Sequence, residues 1–386
     1  MSAAAHVPSS PVAHSARLSG PVSHDSLVVS MGPQHPSTHG VLRVVLELDG
    51  EYILQAEPVL GYIHRMHEWM GQNRTCHKFL PNMGRVDYLH ALAWNWAFVG
   101  AVEKLAGIEV PRRAEFIRVI TCELNRINSH LLWWGAYLLD LGAFTPIMYA
   151  FEDREEIMDL LMRVTGSRLT YCYYTFGGVT ADIDEGFAAQ ARRIVSRLRG
   201  RLPMFRDFVT DNAILRARCE GVGHLTPDMA RAYGATGPVL RGSGVAYDTR
   251  RAEPYSVYPE LDFAIPTSDV GDCMARYLVR MAELEQSLNI VEQALDMLPE
   301  GQHIHPLAPR MVTLPKGETS FAVEAARGKA VIRLRGDGGP NPYRVKLRAP
   351  SFSNLSLFPA LAKGTLLADA VAILGSLDLV IPEIDR

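Results

Sequence analysis

The chain of 386 residues is poor in the features that announce a simple function. It has only five cysteines, Cys76, Cys122, Cys172, Cys219 and Cys273. They lie 46, 50, 47 and 54 residues apart, with no CxxC among them. A zinc site or an iron–sulfur cluster usually draws its thiolates from short local spacings. The spacing therefore disfavours a self-contained cluster protein and a secreted disulfide framework, and a reducing compartment is the default. Charge of one sign is also lacking. Lys+Arg number 39 against 42 Asp+Glu, a formal net charge of −3. Such a balance offers no global footprint for nucleic acid.

No long apolar run is present. The longest stretch without Asp, Glu, Lys or Arg is Ser26–Leu42, and it holds Pro33, Pro36, Gln34, His35 and His39. It is no spanning helix. Tyr88–Val102 carries His90 and Asn95 and reads as a buried helix. Nucleotide signatures are missing too. Arg241-Gly242-Ser243-Gly244 is neither a GxGxxG nor a GxxxxGK loop, and there is no Gly-x-Ser-x-Gly elbow. Residues 1–24 are rich in Ala, Ser, Pro and His, with one Arg and no acid. They lack the basic start and apolar core of a secretion signal and read as a disordered tail. The remainder, 25–386, shows no evident linker and is expected to be one folded unit.

What is there is ordinary globular composition, 48% apolar and 21% charged. Val41–Leu48 and Glu51–Glu57 flank Asp49-Gly50, a pair that favours a type I′ hairpin. Leu42, Val44, Leu46 and Leu48 alternate with Arg43 and Glu47, which predicts one buried face. A helical middle follows. Tyr88–Ala106 is predicted helical, ending near Gly107. From Pro111 to Gly142, apolar residues from Phe116 to Leu141 recur at 3–4 spacing and predict one long helix. Glu152–Val164, Glu185–Phe208 and Asp269–Leu298 are further helices, with a short one capped by Thr226. Residues 319–348 return to strand alternation, and Asn354–Leu374 is expected to be helical. The fold class is α+β, a large helical core with small antiparallel sheets at both ends.

Several residues invite chemistry. His35 and His39 are four apart, but Pro33, Pro36 and Gly40 break any helix that would put them on one face. No further ligand is spaced to complete a metal site. In isolation, histidines that satisfy loop backbone are the commoner outcome; the sharper reading presents one to a ligand at near-neutral pKa. Asp87 suits a helix start, with Arg85 as its partner or an anion's. Tyr88 is a hydroxyl at that start, most simply a packed ring. Asp140 ends an apolar helix, where the helix dipole disfavours an acid and a cationic partner such as His⁺ would offset it.

Together these residues match a specific pattern. Gly32-Pro33-Gln34-His35-Pro36-Ser37-Thr38-His39-Gly40-Val41-Leu42-Arg43 resembles the N-terminal signature of the 49-kDa, or D-type, subunit family of proton-pumping NADH:quinone oxidoreductase (respiratory complex I). The likeness continues through Gly61-Tyr62-Ile63-His64-Arg65, Arg85-Val86-Asp87-Tyr88, Glu123-Leu124-Asn125-Arg126 and Leu139-Asp140-Leu141-Gly142. It runs on through Leu240-Arg241-Gly242-Ser243-Gly244 and Gly271-Asp272-Cys273 to the final Glu383-Ile384-Asp385-Arg386. It covers about Leu27 to Arg386 in consistent order.

The resemblance implies a fold like the large subunit of nickel–iron hydrogenases, whose two CxxC pairs are absent here. It implies a quinone as substrate in place of the metal, with no metal or cluster bound by this chain. The iron–sulfur cluster would belong to an adjacent subunit. His39 and Tyr88 would hydrogen-bond the quinone carbonyls and Asp140 would pair with His39. His35 and Thr38 would join the binding site, and Arg65 and Arg85 would lie near the neighbour's cluster. Implied partners are the other subunits of the complex, above all the one holding the terminal cluster, the C-type subunit and the membrane-arm subunit at the quinone channel; nucleic acid is not implied. The implied location is peripheral, on the cytoplasmic face of a bacterial inner membrane. Four departures from the family pattern, over six positions, stand out. Thr170 stands for a common His, Thr175-Phe176 for Arg-Pro, Met83-Gly84 for Phe-Asp, and Ser256 for an acid. These departures suggest a divergent or second copy of the complex. Two other readings compete: the large subunit of a related membrane-bound complex with another electron donor, and a non-catalytic structural homologue.

Overall fold

The computed structural model describes residues 26–33 and 41–386. The reading of residues 1–24 as a disordered tail falls outside them, and so do His35, Thr38 and His39. The first sheet is antiparallel, β1 (Leu27–Met31), β2 (Arg43–Asp49) and β3 (Tyr52–Val59), with β2 central. Leu42, Val44, Leu46 and Leu48 are buried as their alternation predicts, but Val45 and Glu47 on the other face are buried too. The central strand is thus covered on both sides. The hairpin turn also differs from expectation. Asp49 pairs with Tyr52, so Gly50 and Glu51 are the central residues, and only Gly50 has a positive φ, 59°. A type I′ turn needs positive φ at both positions. A β-bulge between Glu47 and Leu48 takes up the shift.

Two short helices, α1 (His67–Gln72) and α2 (Cys76–Phe79), and a 3₁₀ turn over Leu80–Arg85 lead to the helical core. Its first members are α3 (Ala91–Ala106), α4 (Arg112–Asp140) and α5 (Thr145–Thr165). Helix α3 is buried along its whole face and stops at Gly107, left-handed at φ 66°. Of the 29 residues of α4, 22 are buried, so it is the axis on which the rest packs. A two-stranded ribbon, β4 (Tyr174–Thr175) and β5 (Gly178–Val179), precedes α6 (Glu185–Phe205). Asp184 caps α6 through the Phe187 amide at 2.7 Å. Past Pro203 the helix widens into a π turn over Arg206–Thr210. Four short helices follow, α7 (Ala213–Cys219), α8 (Pro227–Ala232), α9 (Pro238–Arg241) and α10 (Thr249–Ala252).

Helix α11 (Cys273–Asp296) runs against α4 and is capped by Asp272, which accepts from the Ala275 amide at 2.7 Å. The second antiparallel sheet is β6 (Gly317–Ala325), β7 (Gly328–Gly336) and β8 (Arg344–Arg348), again with the middle strand central. The C-terminal stretch is not one helix but three, α12 (Pro350–Leu355), α13 (Phe358–Ala362) and α14 (Leu367–Ser376). Pro359 and the left-handed Gly364, φ 79°, separate them. A last turn, α15 (Ile381–Asp385), is buried. The architecture is α+β, with small antiparallel sheets at both ends of a helical centre, as the alternating patterns predict. No helix among the described residues is long and apolar enough to cross a membrane.

Candidate functional site

The site residues come from turns, not from helix interiors. The turn at 61–66 is pinned from the far end of the chain. Asp385 accepts from the amides of Gly61 and Ile63, both at 2.9 Å, and its carbonyl lies 2.7 Å from His64 Nδ1. Two sequence motifs 320 residues apart thus form one structural unit. It presents Arg65 as an exposed cation. The next turn presents Arg85, also exposed, whose guanidinium donates to the Pro81 carbonyl at 2.5 Å. Among the described residues neither arginine forms an ion pair. Both act on His67, which is buried and whose ring nitrogens find no hydrogen-bond partner among the described residues. Burial first, then Arg65, His64 and Arg85, lower its pKa to about 4. His67 is therefore neutral at physiological pH, and Arg65 and Arg85 share one neighbourhood.

Asp87 does take the helix-start role. Its carboxylate accepts from the amides of Leu89 at 2.9 Å and His90 at 3.0 Å. Its cation is not Arg85, however. It is Arg327, at 2.8 Å, from the β6–β7 turn, a partner that no local spacing could reveal. Arg327 also faces Asp378 at 3.5 Å and donates to Ser129 of α4 at 3.1 Å. Beside this buried pair is Tyr88, 38% exposed. Burial is the main cause that raises its phenol pKa, with Arg327 opposing and Asp87 adding. The hydroxyl therefore keeps its proton at neutral pH, on a residue that is partly exposed.

Deeper in, Glu383 accepts from the Trp94 indole at 3.0 Å and the Ser351 amide at 2.8 Å. Burial and then Asp87 push its pKa up to about 7.

Asp140 is the last residue of α4 and is half-buried. It lies eleven residues past Ser129, which the helix rise makes about 16 Å along the axis from the level of the Arg327–Asp87 pair. Asp140 thus stands at a different level of α4 from the Arg327–Asp87 pair beside Tyr88. Past Asp140 an apolar cleft of about 350 Å³ opens between Leu138, Leu141, Phe144, Phe208 and Leu215, with Arg218 at its edge.

Two of the family departures prove to be one feature. A Cβ on Gly84 would stand 2.7 Å from the carbonyl oxygen of Tyr171 and 3.0 Å from that of Thr170. Only glycine lets the 80–85 turn meet this backbone. Thr170 itself has φ 52°, rare for a β-branched residue. Phe176, at a third departure, stacks edge-on with His77 at 4.7 Å. Ser256 lies elsewhere. It donates to Glu115 and lines a cleft of about 290 Å³ with Lys104 and Arg118, which holds none of the expected site residues.

Most of the remaining motif residues are internal ion pairs. Glu123 meets Arg126 at 3.0 Å and Arg250 at 3.1 Å, and accepts from Tyr258 and Ser287. Arg241 meets Glu283 at 2.7 Å and Glu324 at 2.8 Å. All of these are buried. The thiols of Cys76, Cys122 and Cys219 are pushed up to about 12 by burial and stay protonated. Among the described residues no three His, Cys, Asp or Glu side chains gather as a metal site would require.

Comparison with known proteins agrees with the residue pattern. The family model for the 49 Kd subunit of respiratory-chain NADH dehydrogenase matches residues 140–386. The chain is 60% identical over 367 residues to the second D-type subunit of NADH-quinone oxidoreductase from Opitutus terrae, covering 95% of this chain and 92% of that protein. It is 58% identical to the D-type subunit of the same enzyme from Desulfotalea psychrophila, over 94% of this chain and 97% of the relative. With its counterpart from Syntrophobacter fumaroxidans it shares 56% identity, over 96% and 99%.

Proposed function

The chain belongs to the 49-kDa subunit family of respiratory-chain NADH dehydrogenase, and from that premise we propose that it is the quinone-site subunit of a proton-translocating NADH:quinone oxidoreductase. It works within a hetero-oligomer. The terminal iron–sulfur cluster sits in one neighbouring subunit, and the C-type and membrane-arm subunits adjoin it. The assembly lies on the cytoplasmic face of a bacterial inner membrane, with residues 25–386 as one unit and a hydrogenase-large-subunit-like fold.

The observation that carries this reading is Tyr88. Its hydroxyl is protonated, its residue is partly exposed, and it lies within the electrostatic reach of the buried Asp87–Arg327 pair. Reduction of a quinone by two electrons needs two protons, one at each oxygen. The electrons come from the neighbour's cluster. Tyr88 gives a proton at one carbonyl and His39, paired with Asp140, gives the other. His35 and Thr38 hold the headgroup. Arg65 and Arg85 face the cluster, where positive charge favours its reduced form. Loss of the His39 proton changes the charge that Asp140 faces, and that change is the trigger for motion in the membrane arm.

The test uses the intact complex with His39→Ala or Tyr88→Phe. Quinone reduction should fall steeply, while electron transfer from NADH to ferricyanide, which needs no quinone site, stays normal. A His39→Ala complex that reduced quinone at the normal rate would sink the assignment.

A further inference from the structure

We propose that the open end of the C-terminal sheet is a docking surface for an acidic segment of another subunit. The inference rests on the reading of the chain as one subunit of an assembly. Strand β7 turns Ile332 and Leu334 inward and leaves Arg333 and Arg335 exposed. Strand β8 does the same with Arg344 and Lys346 around the buried Val345. The register then sets Arg333 directly opposite Lys346 and Arg335 directly opposite Arg344. Like charges directly opposite in an antiparallel pair are destabilising. Two such pairs side by side make a fixed array of four cations in a chain whose net charge is −3.

The protein neutralises this array only in part. On the sheet, Glu318 pairs with Arg333. From α1, Glu68 alone serves Lys346 at 3.0 Å, Arg344 at 3.4 Å and Arg386 at 3.9 Å, while it also accepts from the Leu347 amide. Asp385 lies in the same cleft, but its carboxylate is engaged by the amides of Gly61 and Ile63. Glu318 also stands directly opposite Arg335 in the β6–β7 register, but its close ion pair is with Arg333, and the Arg335 guanidinium lies over the Tyr343 ring at 4.8 Å. Cations therefore remain in excess.

The surroundings favour a protein partner. Trp69 and Tyr343 flank the array at 59% and 57% exposure. Between α1 and β8 lies a cleft of about 300 Å³ lined by Met66, Trp69, Arg344, Lys346 and Arg386. Trp, Tyr and Arg are the residues enriched where partners bind tightly. Three of the four cations on the sheet are arginines, whose forked guanidinium suits carboxylates. Their positions two apart on each strand match carboxylates two apart on one face of an extended segment. A membrane surface needs no such fixed spacing; cations on flexible stems serve it equally well.

The test is made on the intact complex. Lys346 should be at least tenfold less reactive to a water-soluble amine reagent in the native complex than after denaturation. A carbodiimide should couple it to an Asp or Glu of another subunit. Joint Arg344→Glu and Lys346→Glu substitution should abolish that coupling and make the complex dissociate at lower salt, whereas Arg344→Gln with Lys346→Gln should do so more mildly. Free labelling of Lys346 in the native complex would overturn the proposal. So would protection that vanishes on delipidation without any protein cross-link, which would assign the face to anionic lipid. If the chain did not co-purify with other subunits at all, the assembly reading itself would fail, which is a separate result.

Discussion

Two sets of arginines differ in the partners they find. In the interior, Arg118, Arg126, Arg241, Arg250, Arg280 and Arg327 are almost wholly buried, and each faces at least one carboxylate. At the rim, Arg65 and Arg85 are exposed, and among the described residues neither has a carboxylate. The first set explains the fold. A buried cation is tolerated only where partners replace its water. Except for Arg126, whose Glu123 lies one turn away on α4, those partners come from other segments, so most pairs tie the chain to itself. Some of the pairs also hold their acids ionised, although at Asp87 burial outweighs Arg327 and raises the carboxyl pKa. Burial alone would raise the pKa of Glu123, yet Arg126 and Arg250 outweigh it and hold the carboxyl at about 2. The second set has no such carboxylate among the described residues. Under the proposed function its charge faces a neighbouring subunit.

This contrast breaks most sharply at Arg241. Arg241→Met would leave Glu283 and Glu324 buried without their cation, at a cost of about 3–5 kcal/mol. The chain should fail to accumulate in assembled complex on native gels. Normal assembly would show that the interior pairs do not hold the fold. Tyr88→Phe should behave in the opposite way. The ring stays and only the hydroxyl of a partly exposed residue goes, so assembly should be unchanged. Loss of a proton donor typically costs about 10²–10⁴ in rate, read as quinone reduction by the purified complex. A Tyr88→Phe complex with less than a twofold loss would move Tyr88 from the proton-donating group to the packed rings.

What the residue order reveals on its own follows the same division. The long helices α4 and α11, the β2–β3 hairpin and the C-terminal sheet are legible because their apolar periods are sustained. The C-terminal helices read as one because their breaks, Pro359 and Gly364, sit inside an apolar run. Ribbon β4–β5 and strand β1 are short and carry too little alternation to read. At the site, the position of Asp87 marks it as a helix-start acid, but its neighbour Arg85 is the wrong cation for it. Arg327 is 240 residues away, and nothing local points to it. The same holds for Asp385 and the 61–65 turn, and for Glu383. The contact between Gly84 and the Thr170–Tyr171 backbone is visible in the sequence only as two unconnected departures. His35, Thr38 and His39, the most legible motif in the sequence, lie outside the described residues.

Glu383 belongs to neither set, and its titration tests the border between them. Its pKa is raised from the ordinary 4.5 to about 7, by burial and by Asp87. A raised pKa means the folded chain favours the protonated form. The stability this contributes is fully present below about pH 4.5 and is lost as pH rises through about 7. Glu383→Gln keeps an uncharged group at all pH. The variant should therefore gain on the native protein as pH rises from 5 to 8, by roughly 1–3 kcal/mol. Thermal inactivation of the intact complex at the two pH values measures this. A difference that does not change with pH would show that Arg327 keeps Glu383 ionised throughout, and the acid would then join the interior pairs.

The smallest expected effect falls on the rim. Arg65→Gln removes an exposed cation that pairs with no carboxylate among the described residues, so stability should change by less than about 0.5 kcal/mol. If the proposed geometry holds, the charge instead faces the neighbour's cluster. A unit charge about 10 Å from a redox centre, at an effective dielectric near 20, shifts its potential by on the order of tens of millivolts. Removing a positive charge disfavours the reduced cluster, so the potential should fall. Arg85→Gln should act in the same direction, because both arginines act on His67 and so share one neighbourhood. The double variant should fall further than either alone. Redox titration of the cluster by electron paramagnetic resonance reads this directly. A loss of stability with an unmoved potential would reverse the contrast and make these arginines structural like those of the interior. An unmoved potential with full stability would instead place the cluster beyond their reach and the electron entry on another face.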